Sequence, residues 1–139
     1  MMYAFGVELR MPFIDALEKV NQAISQEGLG IVSEIDVQAV MRKKLNEEIP
    51  PYRILGACAP KLAKRVMQAD PDAGALLPCN VVVRQINPEL TGVTFMDPDA
   101  IFALSEDAEV AAAGRDAKAL VEAVRDRLTG QHPVDLTHH

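Results

Sequence analysis

The chain has 139 residues, 14 basic and 20 acidic, for a formal charge of −6; 49% of it is hydrophobic, with four Phe, two Tyr and no Trp. That is one domain's worth of chain, able to bury roughly two-thirds of the surface its unfolded form exposes with no covalent or metal staple, and its core must be aliphatic. The negative charge opposes the phosphate attraction behind non-specific nucleic-acid binding, which sets DNA and RNA aside as partners, and no run approaches the roughly 18 apolar residues that a membrane helix requires.

The N-terminus lacks a basic region followed by a long apolar stretch, so neither a signal peptide nor an anchor is expected there. A cytoplasmic location follows as the expectation, and in that reducing compartment two cysteines read as free thiols. Residues 3–9 alternate as a strand, with Tyr3, Phe5, Val7 and Leu9 on one face. Pro12 can occupy the first turn of the helix that follows, where its missing N–H costs nothing. Phe13, Leu17, Val20 and Ile24 recur at helical spacing until Gly28, a suitable C-terminal cap. Residues 31–35 read as a second strand, and Asp36 caps a short helix over 37–45 whose apolar positions Val37, Val40, Met41 and Leu45 share a face.

Pro50-Pro51 is a stop, and a third strand over 52–57 follows directly. From Pro60 a helix runs to about Ala69, with Leu62, Val66 and Met67 directed inward, until Asp70-Pro71-Asp72 ends it. Val81-Val82-Val83 marks a fourth strand over 79–86, Asn87-Pro88-Glu89 is turn chemistry, and residues 90–96 return as a hairpin. The last helix covers about 107–128 on a broad apolar stripe, with Gly114 marking a close helix-to-sheet contact. The order β-α-β-α-β-α-β-β-α predicts one α+β domain over 1–130, with a mostly antiparallel sheet of about five strands covered by helices on one face, and a flexible tail over 131–139.

Chemistry has few carriers. The three histidines all fall within the last eight residues, so Cys58 and Cys79 are the strong nucleophile or soft-ligand candidates. Cys58 closes a strand just before Pro60 opens a helix. There the partial positive charge of the helix terminus favours a thiolate, although free cysteine is among the most buried residue types, and a small buried hydrophobe is the foremost reading of each cysteine taken alone. Cys79 follows Pro78 and precedes Asn80, whose side chain could cap or bridge. If the two strands run antiparallel, both thiols lie at one edge of the sheet; if parallel, at opposite edges. The antiparallel case is the one expected. Glu34 and Asp36 form the other candidate pair, with Asp36 read foremost as a helix cap, and Arg53 is placed to meet a carboxylate. No Gly-rich phosphate loop, Gly-x-Ser-x-Gly or His-containing triad is present.

Four segments together resemble a known family: Glu34-Ile35-Asp36-Val37; Tyr52 through Cys58 with Pro60; Leu76-Leu77-Pro78-Cys79-Asn80-Val81; and Met96-Asp97-Pro98. In this order and spacing they are similar to the domain-of-unknown-function 302 family of small bacterial and archaeal proteins. The resemblance implies an α+β fold like the TATA-binding-protein-like class, a homodimer, and no settled activity. It strengthens Cys58, Pro60, Pro78, Cys79, Asn80, Glu34 and Asp36 without assigning them roles. The family's first cysteine segment usually reads Ala-Cys-Asn-Pro, whereas Ala59 stands here in place of the asparagine, removing a polar side chain beside Cys58.

The leading expectation is a non-catalytic ligand-binding or protein-interaction module, homodimeric, with a pocket near Cys58 and Cys79, to which Pro60, Asn80, Glu34 and Asp36 are added as candidates. The alternative is a thiol-dependent protein handling redox species, sulfur compounds or a soft metal through the same two cysteines. A third reading has the cysteines only pack. No cofactor is named by the sequence, and no membrane or nucleic-acid partner is expected.

Overall fold

The computed structural model describes residues 2–130, so the tail expected over 131–139 lies outside the described residues. Five strands alternate with helices: β1 Ala4–Leu9, α1 Phe13–Gln26, β2 Gly30–Asp36, α2 Val37–Leu45, β3 Tyr52–Cys58, α3 Pro60–Ala69, a 3-10 helix Pro71–Leu76, β4 Cys79–Asn87, β5 Leu90–Met96, α4 Pro98–Phe102 and α5 Ala108–Thr129. The 3-10 helix and α4 are additions to the expected order, and both begin at an Asp-Pro pair. Asp70 and Asp97 accept hydrogen bonds from the first N–H groups of these turns while Pro71 and Pro98 stand at the first positions, where a missing N–H is no loss.

The other helix ends follow the sequence chemistry closely. Pro12 stands one step outside its expected place: it is the extended N-cap residue of α1 rather than a member of the first turn. At the other end Gly28 takes a left-handed φ of 78°, and the N–H groups of Gly28 and Leu29 bond back to Ser25 and Ile24. This Schellman arrangement stops α1 and turns Leu29 inward. Asp36 Oδ1 accepts the Ala39 N–H at 3.0 Å, so the capping role read for Asp36 holds.

All neighbouring strands pair antiparallel, in the order β1-β5-β4-β3-β2. Leu55, Val81, Val83, Val93 and Phe95 project from one face and pack with Phe13, Val20 and Ile24 of α1 and Val121, Val124 and Leu128 of α5. At this face Phe5 stacks on Phe95, and the Arg125 guanidinium lies 5.3 Å above the Phe5 ring. A second, smaller cluster forms beyond the sheet end from Val66 of α3, Ala73, Phe102 of α4, and Val110 and Ala113 of α5. The apolar stripe of α5 therefore serves two cores along its length. Gly114 does mark a close approach, but to α4 rather than to the sheet: a Cβ there would lie 2.7 Å from both Phe102 Cβ and Pro98 O.

Two apolar faces read from spacing find no cover among the described residues. None of the α2 residues is buried, and Val40 and Leu45 are exposed. Met67, expected to point inward, is exposed while its neighbour Val66 is fully buried, because α3 is short and its buried stripe is narrow. No helix among the described residues is long and apolar enough to cross a membrane.

Candidate functional site

The antiparallel pairing of β3 with β4 decides where the thiols go. Ala57 of β3 stands opposite Cys79 of β4, and Cys58 is the next residue along, the last of its strand. The end of one strand and the start of its neighbour thus deliver both cysteines to a single edge of the sheet. Both are free and half-buried.

They line one cavity, together with Leu29, Ala57, Ala59 and Leu77 from the strand ends and their flanking loops, Leu62 and Ala63 of α3, Phe102 of α4, and Ala117, Leu120 and Val121 of α5. Its position explains why it exists. The core beneath α1 and α5 ends near Ala57 and Val121, the second cluster begins near Phe102, and the space between is left open where four alanines, Ala57, Ala59, Ala63 and Ala117, stand among the larger side chains of its wall. About 30 Å³ is open to the centre of a water-sized sphere, above the roughly 10–15 Å³ that one water needs by that measure. The lining offers almost no polar surface, so water would lack the two or more partners that hold it in such a space.

Burial pushes the Cys79 thiol up to about 11, with the nearby Cys58 adding to the effect. At neutral pH Cys79 is therefore a neutral thiol, a weak nucleophile. On the other side, Cys58 precedes α3, which opens with Ala59 at the N-cap and Pro60 at the first position and has no side-chain cap. An asparagine at Ala59 could have supplied that cap; with alanine, the first N–H groups of α3 keep their partial positive charge without a side-chain acceptor.

The remaining sequence candidates are placed elsewhere. Asn80 is exposed and pairs with Gly56, on the face of β4 opposite to Cys79 by strand alternation. Gly56 is constrained from that same outer face: a Cβ there would run into Ser33 Oγ and lie 2.7 Å from Pro78 Cγ. Glu34 and Asp36 stand at the far end of the β2–β3 pair, where Arg53 binds both carboxylates, the second through Nη2 and Asp36 Oδ2 at 3.5 Å. Here Glu34 and Asp36 take part in an ion-pair network, and Asp36 also caps α2. Among the described residues no group of three or more His, Cys, Asp and Glu is placed to hold a metal ion. The cavity walls supplied by Leu29, Phe102 and Leu120 escape sequence reasoning, since each sits on an ordinary core stripe and only the fold brings them to one space.

Residues 5–129 match the model of a family described as a domain of unknown function, DUF302. The fold is similar to a crystal structure of an uncharacterized conserved protein DUF302 from Bacillus stearothermophilus, at a TM-score of 0.82 and 25% identity, covering 92% of this chain and 99% of that one. No curated protein gives a significant match.

Proposed function

This chain belongs to the DUF302 family, a domain of unknown function, and from that premise we propose that it is a non-catalytic binding module which holds a small ligand in the apolar cavity beside Cys58 and Cys79. The observation that carries this reading is the cavity itself: open enough for a small group, walled by aliphatic and aromatic side chains, and, among the described residues, bare of carboxylates, imidazoles and amines. Chemistry at such a site would need a proton acceptor or an ionised nucleophile. The Cys79 thiol, held neutral by burial, is neither. Binding of a compact apolar or soft ligand needs only the space and the sulfurs.

Xenon pressure with methyl NMR tests it. Shifts concentrated on Ala57, Ala63, Ala117 and Val121 are expected, and Ala63→Leu should remove them by filling the space. Shifts spread evenly over the surface, or absent from these methyls, would overturn the reading.

The module is further proposed to act in the cytoplasm as a homodimer joined through the β2–α2 flank. In support, Val32, pushed out at a β2 bulge, and Ile35, Val40 and Leu45 are all exposed along one stretch. An α-helix with apolar spacing and no buried residue is a surface in want of a cover. Light scattering should give twice the chain mass, falling to one chain mass in Val40→Glu/Leu45→Glu; a wild-type mass of one chain would end the proposal.

A further inference from the structure

We propose that the ligand of the cavity is a soft monovalent metal ion of the Cu(I) class, held in two-coordinate fashion between the sulfurs of Cys58 and Cys79. This rests on reading the cavity as the binding site and names what fills it. The donor set argues for the class. Two cysteines from the ends of paired strands line one cavity, and among the described residues no carboxylate or imidazole shares its lining. Hard ions such as Mg²⁺ and Ca²⁺ need a shell of oxygens, and a structural Zn²⁺ needs four ligands, so neither finds its set here. A d¹⁰ monovalent ion is satisfied by thiolate sulfur alone.

The site also manages charge. Binding is ligand exchange with no change in oxidation state. Both S–H bonds are lost, two Cu–S bonds form, the two protons pass to solvent, and copper remains Cu(I). Two thiolates and one monovalent cation leave a single negative charge in place of the two that empty thiolates would carry. That remaining charge lies next to the uncapped start of the ten-residue helix α3, where it is favoured by the partial positive charge of the terminus.

The test is an anaerobic titration of the reduced full chain with Cu(I) against a chromophoric Cu(I) chelator, alongside Cys58→Ser and Cys79→Ser, with proton release followed in weak buffer. Wild type should withhold one Cu(I) per chain and release two protons. X-ray absorption should find two sulfur neighbours, and each serine variant should surrender its copper to the chelator. Far-ultraviolet circular dichroism checks that the variants fold; if Cys79→Ser does not, Cys58→Ser with the wild-type absorption spectrum decides. Copper held equally by wild type and a folded serine variant would place the ion elsewhere, for instance on the tail histidines, and overturn the inference. Failure to compete with the chelator, or retention of Zn²⁺ as firmly as Cu(I), would overturn it as well. Xenon entry without copper binding would sink this inference alone, whereas absence of both would remove the binding module with it.

Discussion

The two ends of β3 carry the two side-chain clusters that stand out in the sequence, and they differ in kind. At the Arg53 end one guanidinium meets Glu34 and Asp36 while Asp36 also caps α2, so each charged group is occupied by another. At the Cys58 end two cysteines lie among apolar side chains and line a space that the two cores leave between them. Both clusters arise from the same device, cross-strand pairing at a sheet end. Among the described residues, only the second borders a cavity whose lining offers almost no polar surface. The first cluster consumes its own polar capacity, while the second borders a void that no polar side chain fills.

The thiol end should be the easier to break, through its wall. Phe102 stands between the cavity and the second cluster, and Gly114 is what lets α4 bring it there. A methyl group at Gly114 would meet Pro98 O, which belongs to the backbone and cannot rotate away. Overpacking of this kind costs about 3 kcal/mol at the upper end, against about 1 kcal/mol returned by the better helix propensity of alanine. Gly114→Ala is therefore expected to lower stability by about 2 kcal/mol in urea unfolding and to speed alkylation of Cys79 as Phe102 shifts. A variant as stable as wild type, with unchanged labelling, would mean that α4 does not shape the cavity.

Ionisation probes the same end more gently. Because the Cys79 thiol rises from 9.0 to about 11 on folding, the folded chain holds that proton more tightly than the unfolded one. Its contribution is intact below about pH 9 and is lost as the pH climbs through about 11, since the unfolded form ionises first. Allowing for the half-buried position, the loss should be about 1 to 2 kcal/mol. It is read as the change, between about pH 8 and pH 11, in the stability difference between wild type and Cys79→Ala, which cancels other groups titrating there. A difference that stays constant over that window would put the sulfur in water and erase the contrast between the two ends.

Much of the frame is legible in the residues. Strands β1 to β5 and helices α1, α2, α3 and α5 follow from alternation, helical spacing and punctuation by Gly28, Pro50-Pro51 and Asp36. The two short helices are harder, because Asp-Pro both ends one element and starts the next: Asp70-Pro71 and Asp97-Pro98 read equally as stops and as caps. The exposed faces of α2 and Met67 show a different limit. Spacing tells which residues share a face, and nothing local tells whether anything will cover it. The candidate site lies further from reach. Cys58 and Cys79 are visible as residue types, yet their meeting depends on strand direction and register, properties of pairs of segments rather than of either one. The cavity depends on Leu29, Phe102 and Leu120 converging from separate stripes, which no single segment encodes.

The smallest effect is expected at the Arg53 end. Arg53→Met keeps the aliphatic stem and removes the charge that joins Glu34 to Asp36. All three side chains are partly open to solvent, at 28%, 37% and 40%, and exposed ion pairs contribute between 0 and about 1 kcal/mol. The loss should therefore stay below about 1 kcal/mol. It should shrink further with added salt, as the screening length falls from about 10 Å at 0.1 M to about 3 Å at 1 M. The Asp36 bond to Ala39 does not involve Arg53, so α2 should keep its start. Cys79 should be alkylated at the wild-type rate, because the altered residue lies at the other end of the strand. A loss of several kcal/mol, or a faster-reacting Cys79, would show that the two ends of β3 are coupled through the sheet. The ion-paired cluster would then be part of what keeps the cavity in shape.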